Sequence, residues 1–238
     1  MCAFKVIAIG GGGCTSGSDP ELDELVVLVA GKPRLRCGFV GAASNDDWQK
    51  FQGFRAAFER QGCLTSRVEL GGSPTSFGDW IAAQDIIYVG GGNTVRLLTW
   101  WRQSGFAEVF KATARSDTVL AGVSAGAVCW WEWTLTDSLG EGLQPIAGLG
   151  LVTGSCCPHY SSEPDRREAF AAAIDSGQLP PGIAIDDGVA VVVGTNLDVS
   201  MVSTRDGCAA YSVSHHAGEF TARKLPHFRA SPVGTTHR

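Results

Sequence analysis

Apolar positions along the chain alternate between two rhythms. Phe4-Lys-Val-Ile-Ala-Ile is a strand-like run, stopped by the glycines Gly10–Gly13. Asp19-Pro-Glu-Leu-Asp-Glu-Leu then reads as a helix start, with an Asp cap, Pro at the first position and acids in the first turn. Arg36 to Ala42 predicts a second strand. Asp46 to Gln61 predicts an amphipathic helix, because Trp48, Phe51, Phe54, Ala57 and Phe58 recur at helical spacing. Leu64 to Leu70 and Asp85 to Gly90 predict two more strands, and a single helix is expected from about Val95 to Ala114. A strand from Thr118 follows.

Strands separated by helices imply a parallel sheet with right-handed crossovers, and nearly continuous apolar strands imply burial on both faces. After Pro180 the rhythm changes. Ile183-Ala-Ile, Val189-Ala-Val-Val-Val, Val199-Ser-Met-Val and Cys208 to Val213 are short strands with turn residues between them. The fold class expected is α/β: a mostly parallel sheet with helices on both faces and a strand-rich, antiparallel C-terminal end to the same sheet. Residues 1–225 form one domain in this reading, and 226–238 a poorly ordered tail.

Composition narrows the function classes. Of 238 residues, 44% are hydrophobic and 18% charged, enough apolar material for a sizeable core. The net charge is −5 and no Lys/Arg stripe forms, which argues against a nucleic-acid partner. The first ten residues read as a strand rather than a signal peptide, and the longest apolar runs are strand-sized, so a cytoplasmic protein without a membrane partner is expected. None of the eight cysteines makes a Cys-x-x-Cys pair. They are expected to be free buried thiols, with no metal site and no cofactor. The adjacent Cys156 and Cys157 read as strand filling.

The chemistry centres on Ala121-Gly-Val-Ser-Ala-Gly-Ala-Val128. An apolar run enters Ser124, and small and then apolar residues leave it, as at a tight strand-to-helix turn. Such a turn exposes the Ser hydroxyl and leaves the next backbone N–H unused, so one residue offers a nucleophile and its neighbour an oxyanion donor. With 31 glycines in the chain, Gly-x-Ser-x-Gly alone is weak evidence, and context must support it. A second loop, Gly90-Gly-Gly-Asn-Thr, precedes a helix, so Gly91 and Gly92 are candidates for the second oxyanion donor. Asn93 is a helix cap or a substrate contact. The Gly10–Gly13 run lacks dinucleotide-fingerprint spacing and reads as a tight turn.

A serine nucleophile needs a base. His237 is terminal, His227 lies in the expected tail, and His215 and His216 follow a strand in a polar turn. His159 sits at a strand end, as Ser124 does, and is preferred. The acid that orients it could be Asp186, Asp187 or Asp137, and the residues alone leave that choice open.

Three motifs together resemble the peptidase E (aspartyl dipeptidase) family: Gly-x-Ser-Ala-Gly-Ala after a strand, Val-Gly-Gly-Gly-Asn-Thr about thirty residues earlier, and Pro-His-Tyr about thirty-five later. The resemblance runs from the first strand to about residue 205, and cyanophycinase is a more distant relative. It implies a fold like that of type 1 glutamine amidotransferases, with a Ser nucleophile and no metal or cofactor. Carried over, it makes Ser124 the nucleophile and His159 the base, with the N–H groups of Gly92 and Ala125 as the oxyanion hole. Asp187 falls where the family carries Glu before Gly, so a side chain one methylene shorter must approach His159 more closely. Asp137 is the alternative acid. The order Ser, His, acid also differs from the Ser, acid, His of α/β-hydrolases.

The implied substrate is a dipeptide with N-terminal Asp. Its β-carboxylate needs a cation, and Arg166 and Arg167 are equal candidates. Its α-amine needs an acid, from Glu132, Glu141 or Glu163. Trp100, Trp101, Trp130, Trp131 and Trp133 line the pocket or, more in keeping with aromatics near a buried turn, pack in the core. Two rival readings keep the scaffold: a hydrolase of β-aspartyl peptides, and a catalytically silent small-molecule-binding protein. The aromatic content permits a homodimer without requiring one.

Overall fold

The computed structural model describes residues 4–140, 142–163, 165–216 and 219–229. In chain order the elements are β1 (Lys5–Ile9), α1 (Pro20–Ala30), β2 (Arg36–Val40), α2 (Trp48–Arg60), β3 (Leu64–Arg67), α3 (Pro74–Ala82), β4 (Ile86–Val89), α4 (Thr94–Gln103), α5 (Phe106–Thr113), β5 (Val119–Val123) and α6 (Ala125–Val128). There follow β6 (Trp131–Thr136), β7 (Gln144–Ala147), β8 (Val152–Cys157), α7 (Arg166–Asp175), β9 (Gly182–Ile185), β10 (Val189–Val193), β11 (Val199–Ser203), β12 (Ala210–His216) and β13 (Glu219–Lys224).

The fold is mixed α/β with two sheets. The first runs β11-β10-β1-β5-β4-β2-β3, parallel from β1 to β3 and antiparallel at β10 and β11. The second runs β13-β12-β9-β8-β6-β7, with β6, β8 and β9 parallel and the outer strands antiparallel. The two-residue period of β1 shows the layering. Ile7 and Ile9 face α1 and α2, whereas Val6 and Ala8 face α3 to α6 and the second sheet. Helix α7 covers the far side of the second sheet, where Phe170 and Ile174 meet Leu135, Tyr160 and Val213. Among the described residues no helix is long and apolar enough to cross a membrane.

Several expectations are corrected. The long helix breaks into α4 and α5, because Gly105 adopts φ 74° and ends the first segment. Helix α3, with its Ser73 capping box, and strands β6 and β7 were not anticipated. The C-terminal strands do not extend one sheet: β10 and β11 join the first, while β9, β12 and β13 join the second. Asp19 does not cap α1. It sits at φ 50° with no side-chain cap bond, and its carboxylate holds Arg205 instead. The chain stays paired beyond residue 225, since the Met201 N–H donates to the Pro226 carbonyl (2.8 Å) and the Phe228 N–H to that of Met201 (2.7 Å). Residues 230–238 lie outside the described residues.

Candidate active site

Parallel strands deliver their following loops to one edge of a sheet, and both sheets do so on the same side here. Ser124 follows β5, Gly92 follows β4 and Gly11 follows β1 in the first sheet. His159 follows β8 in the second. Asp187 lies in the turn that carries the chain from β9 in the second sheet to β10 in the first.

Ser124 occupies a strained backbone conformation (φ 54°, ψ −117°) between β5 and α6. Its N–H is tied to the Ile9 carbonyl at 2.9 Å. The turn is feasible because a side chain at Gly122 would overlap the Gly126 carbonyl, and one at Gly126 would overlap that of Val89. The strain turns the Ser124 hydroxyl outward, where Oγ stands 2.9 Å from His159 Nε2. On the other edge of the imidazole, Nδ1 stands 2.6 Å from Asp187 Oδ1. An ionised carboxylate only accepts, so Nδ1 carries the hydrogen and Nε2 is left to accept from the Ser124 hydroxyl. The bond from His159 holds the Asp187 carboxyl below the usual range, with smaller contributions from Ser162 and Arg205.

The shorter acid reaches because glycines clear its path. A side chain at Gly11 would overlap Asp187 Oδ1 and approach His159 Cε1 to 2.9 Å, and one at Gly10 would overlap the Asp186 carbonyl. The spacing of these glycines predicts a tight turn. It is also the floor on which the His–Asp contact rests, and no spacing rule signals that. Asp186 turns inward, 3% exposed, and accepts from the Ala209 N–H. Asp137 stands apart from the histidine, with Oδ1 4.0 Å from Arg166 Nη2.

Ser124 and His159 open onto a cavity of about 170 Å³, lined also by Gly92, Thr94, Ala125, Leu135, Thr136, Asp137, Pro158, Glu163 and Arg166. The structure separates the two arginines. Arg166 is 5% exposed and lines the cavity, with Nε donating to Glu163 Oε2 and Nη1 to the Leu135 carbonyl at 3.4 Å. Arg167 lies outside it, its guanidinium 5.0 Å from the Tyr160 ring centre and bonded to Ser161 Oγ. Asn93 is used as a cap, its Oδ1 accepting from the Arg96 N–H at 2.8 Å. Glu132 is spent on the Gly154 N–H at 2.8 Å, and Glu141 lies outside the described residues.

The other candidates sit elsewhere. None of the five tryptophans lines the cavity: Trp101, Trp130 and Trp131 are fully buried, Trp100 bonds the Leu70 carbonyl, and Trp133 is partly exposed. His215 pairs with Asp175 at 2.9 Å, and His237 lies outside the described residues. The seven cysteines among the described residues are free, and burial pushes the Cys157 thiol up to about 12. Among the described residues no His, Cys, Asp and Glu group is arranged to hold a metal ion.

Comparison with known proteins defines the class first: this is a serine peptidase. Residues 6–198 match the model of peptidase family S51, the peptidase E family, and the chain belongs to that family. It is 37% identical over 224 residues to the uncharacterized peptidase YgaJ of Bacillus subtilis (strain 168), covering 93% of this chain and 97% of that protein. It is 30% identical over 135 residues to the uncharacterized peptidase PM1590 of Pasteurella multocida (strain Pm70), covering 53% and 65%. The crystal structure of a peptidase from an acI-B1 actinobacterium superposes with a TM-score of 0.70, at 17% identity and 95% coverage of both chains, a likeness of fold.

Proposed function

We propose that this peptidase hydrolyses dipeptides with N-terminal Asp through Ser124, His159 and Asp187. Ser124 Oγ attacks the scissile carbonyl while His159 Nε2 takes its proton. Asp187 keeps the imidazole in the required tautomer and stabilises the imidazolium. The Gly92 and Ala125 N–H groups receive the oxyanion, and among the described residues neither has another acceptor. His159 then protonates the leaving amine, and water resolves the acyl-enzyme. The peptide is the only partner this chemistry requires, and nothing in it calls for a cofactor.

The observation that carries the specificity is the buried Arg166 in the cavity wall, flanked by Glu163 and Asp137. An N-terminal Asp presents a carboxylate and an ammonium on one small residue. Arg166 Nη groups match the former, and the two acids the latter. The small cavity suits a single residue ahead of the scissile bond.

The test is hydrolysis of Asp-Leu, Ala-Leu and β-Asp-Leu by the wild type, Ser124→Ala and Arg166→Met. Asp-Leu should be cleaved best, Ser124→Ala should abolish turnover, and Arg166→Met should erase the preference over Ala-Leu. Cleavage that survives Ser124→Ala would overturn the mechanism. Preference for β-Asp-Leu would move the substrate to β-aspartyl peptides. Failure of a folded wild type to cleave any peptide or react with a fluorophosphonate would favour the silent binding scaffold.

A further inference from the structure

Lys50 lies in the first turn of α2, after the Asp47 cap. A cation there opposes the helix dipole, so the position is electrostatically unfavourable for its own helix. Its side chain is partly buried and leaves the helix to donate to the Gly91 carbonyl, 2.9 Å away. That carbonyl belongs to the same peptide unit as the Gly92 N–H. The peptide is trans, so its C=O and N–H point in opposite directions. Holding the carbonyl toward α2 therefore aims the Gly92 N–H at the cavity, which Gly92 lines beside Ser124.

The restraint is needed because the unit joins two glycines. Gly92 sits at φ 150°, where a side chain would overlap the Ala43 carbonyl. Its far side is fixed, since the Asn93 N–H donates to Ala43 O at 2.9 Å and Arg96 Nη1 to the same oxygen at 3.2 Å. Its near side has Lys50. Gly–Gly backbone permits the opposite orientation of the peptide plane, which would turn a carbonyl oxygen toward the developing oxyanion. An ammonium on the carbonyl also withdraws electron density from the amide and strengthens its N–H as a donor.

We propose that Lys50 is a positioning residue that sets and polarises the Gly91–Gly92 peptide as an oxyanion donor. The proposal rests on the reading of Ser124 as nucleophile. It calls for an effect on reaction at Ser124 with little effect on ground-state peptide binding.

The test is the second-order rate of labelling by a fluorophosphonate, whose phosphoryl oxygen would occupy the oxyanion site. It is run on the wild type, Lys50→Met, Lys50→Arg, Lys50→Gln and Ser124→Ala, with Asp-Leu kinetics alongside. Lys50→Met should slow labelling and lower kcat by about 10- to 100-fold, while KM stays within about 3-fold. Lys50→Arg should recover most of the rate, and Lys50→Gln, a neutral donor, should fall between. Labelling of Lys50→Met within twofold of wild type, alongside an unlabelled Ser124→Ala, would overturn the role of Lys50 alone. Labelling or turnover that survives Ser124→Ala would overturn the underlying mechanism and this proposal with it. Should Lys50→Met fail to fold, the order of Arg and Gln decides: Arg above Gln supports the proposal, and equal rates sink it.

Discussion

Arg205 grips Asp19 with two hydrogen bonds, Nε to Oδ1 at 2.8 Å and Nη2 to Oδ2 at 2.5 Å, although 186 positions separate them in the chain. Neighbouring Thr204 binds the same carboxylate and also the Gly188 carbonyl, while the Gly188 N–H donates to the Gly11 carbonyl at 2.9 Å. The Asp187–Gly188 turn is thus clamped between the loop after β1 and the turn after β11. Arg205→Ala should cost about 1 kcal/mol, a modest figure because the guanidinium is partly solvated. The bond from Arg205 lowers the Asp19 carboxyl from 3.8 to about 2. A depressed carboxyl contributes stability above its unfolded value and loses it as pH falls through its folded value. The difference between wild type and Arg205→Ala in urea unfolding should therefore be full at pH 7 and shrink between about pH 4 and 2. An equal difference at pH 7 and pH 2 would contradict this role for the pair.

Gly11→Ala should leave a folded but crippled protein. The atoms its Cβ would meet belong to the Asp187 and His159 side chains, which can yield, whereas the backbone of the loop stays in place. Yielding moves Asp187 off Nδ1. Turnover should fall about 100-fold or more, by the sensitivity of such contacts to displacements near 1 Å. The melting temperature should change by only a few degrees. Retained activity would show that the His–Asp contact tolerates this displacement.

The two candidate acids make opposite predictions. Asp187→Asn replaces the charged, acceptor-only carboxylate that sets the imidazole tautomer with an amide that can also donate, and kcat should fall by about 10²- to 10⁴-fold. Asp137 is 67% exposed at its side chain and lies toward Arg166, so Asp137→Asn should act on the KM for Asp-Leu. Its fluorophosphonate labelling rate should be unchanged. If labelling collapsed in Asp137→Asn and survived in Asp187→Asn, the assignment of the acid would be reversed.

Asp23 on α1 is 1% exposed, beside Cys14 and Tyr88, and burial raises its carboxyl to about 7. The folded state holds a proton that the unfolded state releases above about 3.8, so stability declines as pH rises from about 4 to 7. Asp23→Asn removes the titration and keeps the shape. The variant should gain on the order of 1–3 kcal/mol relative to wild type between pH 5 and pH 8. Parallel pH–stability curves for the two proteins would refute the assignment.

The elements nearest the site were among the most legible in the sequence. Continuous apolar burial from Val6 to Ile9 in β1 and throughout β5 marks strands, because those residues meet core on both faces. The helical spacing of Phe51, Phe54, Ala57 and Phe58 marks α2 for the same reason. Helix α3 went unseen because few of its residues are buried, Phe77 and Ile81 among them, so its period is faint. The break before α5 depends on one residue, Gly105, which propensity alone treats as tolerable inside a helix.

Sequence alone was enough for the five parallel strands of the first sheet, helices α1 and α2, the strand-to-helix turn at Ser124 and the strand-end position of His159, because local backbone preference and burial period act over a few neighbouring residues. The rest depended on how the chain folds back on itself. That folding divided the C-terminal strands between two sheets and placed Asp187, but neither Asp186 nor Asp137, against the imidazole. It put Arg166 in the cavity wall and Arg167 on Tyr160. Most of those outcomes join groups far apart in the chain, as His159 and Asp187 are, and periodicity reports that a side chain is buried without reporting what it is buried against.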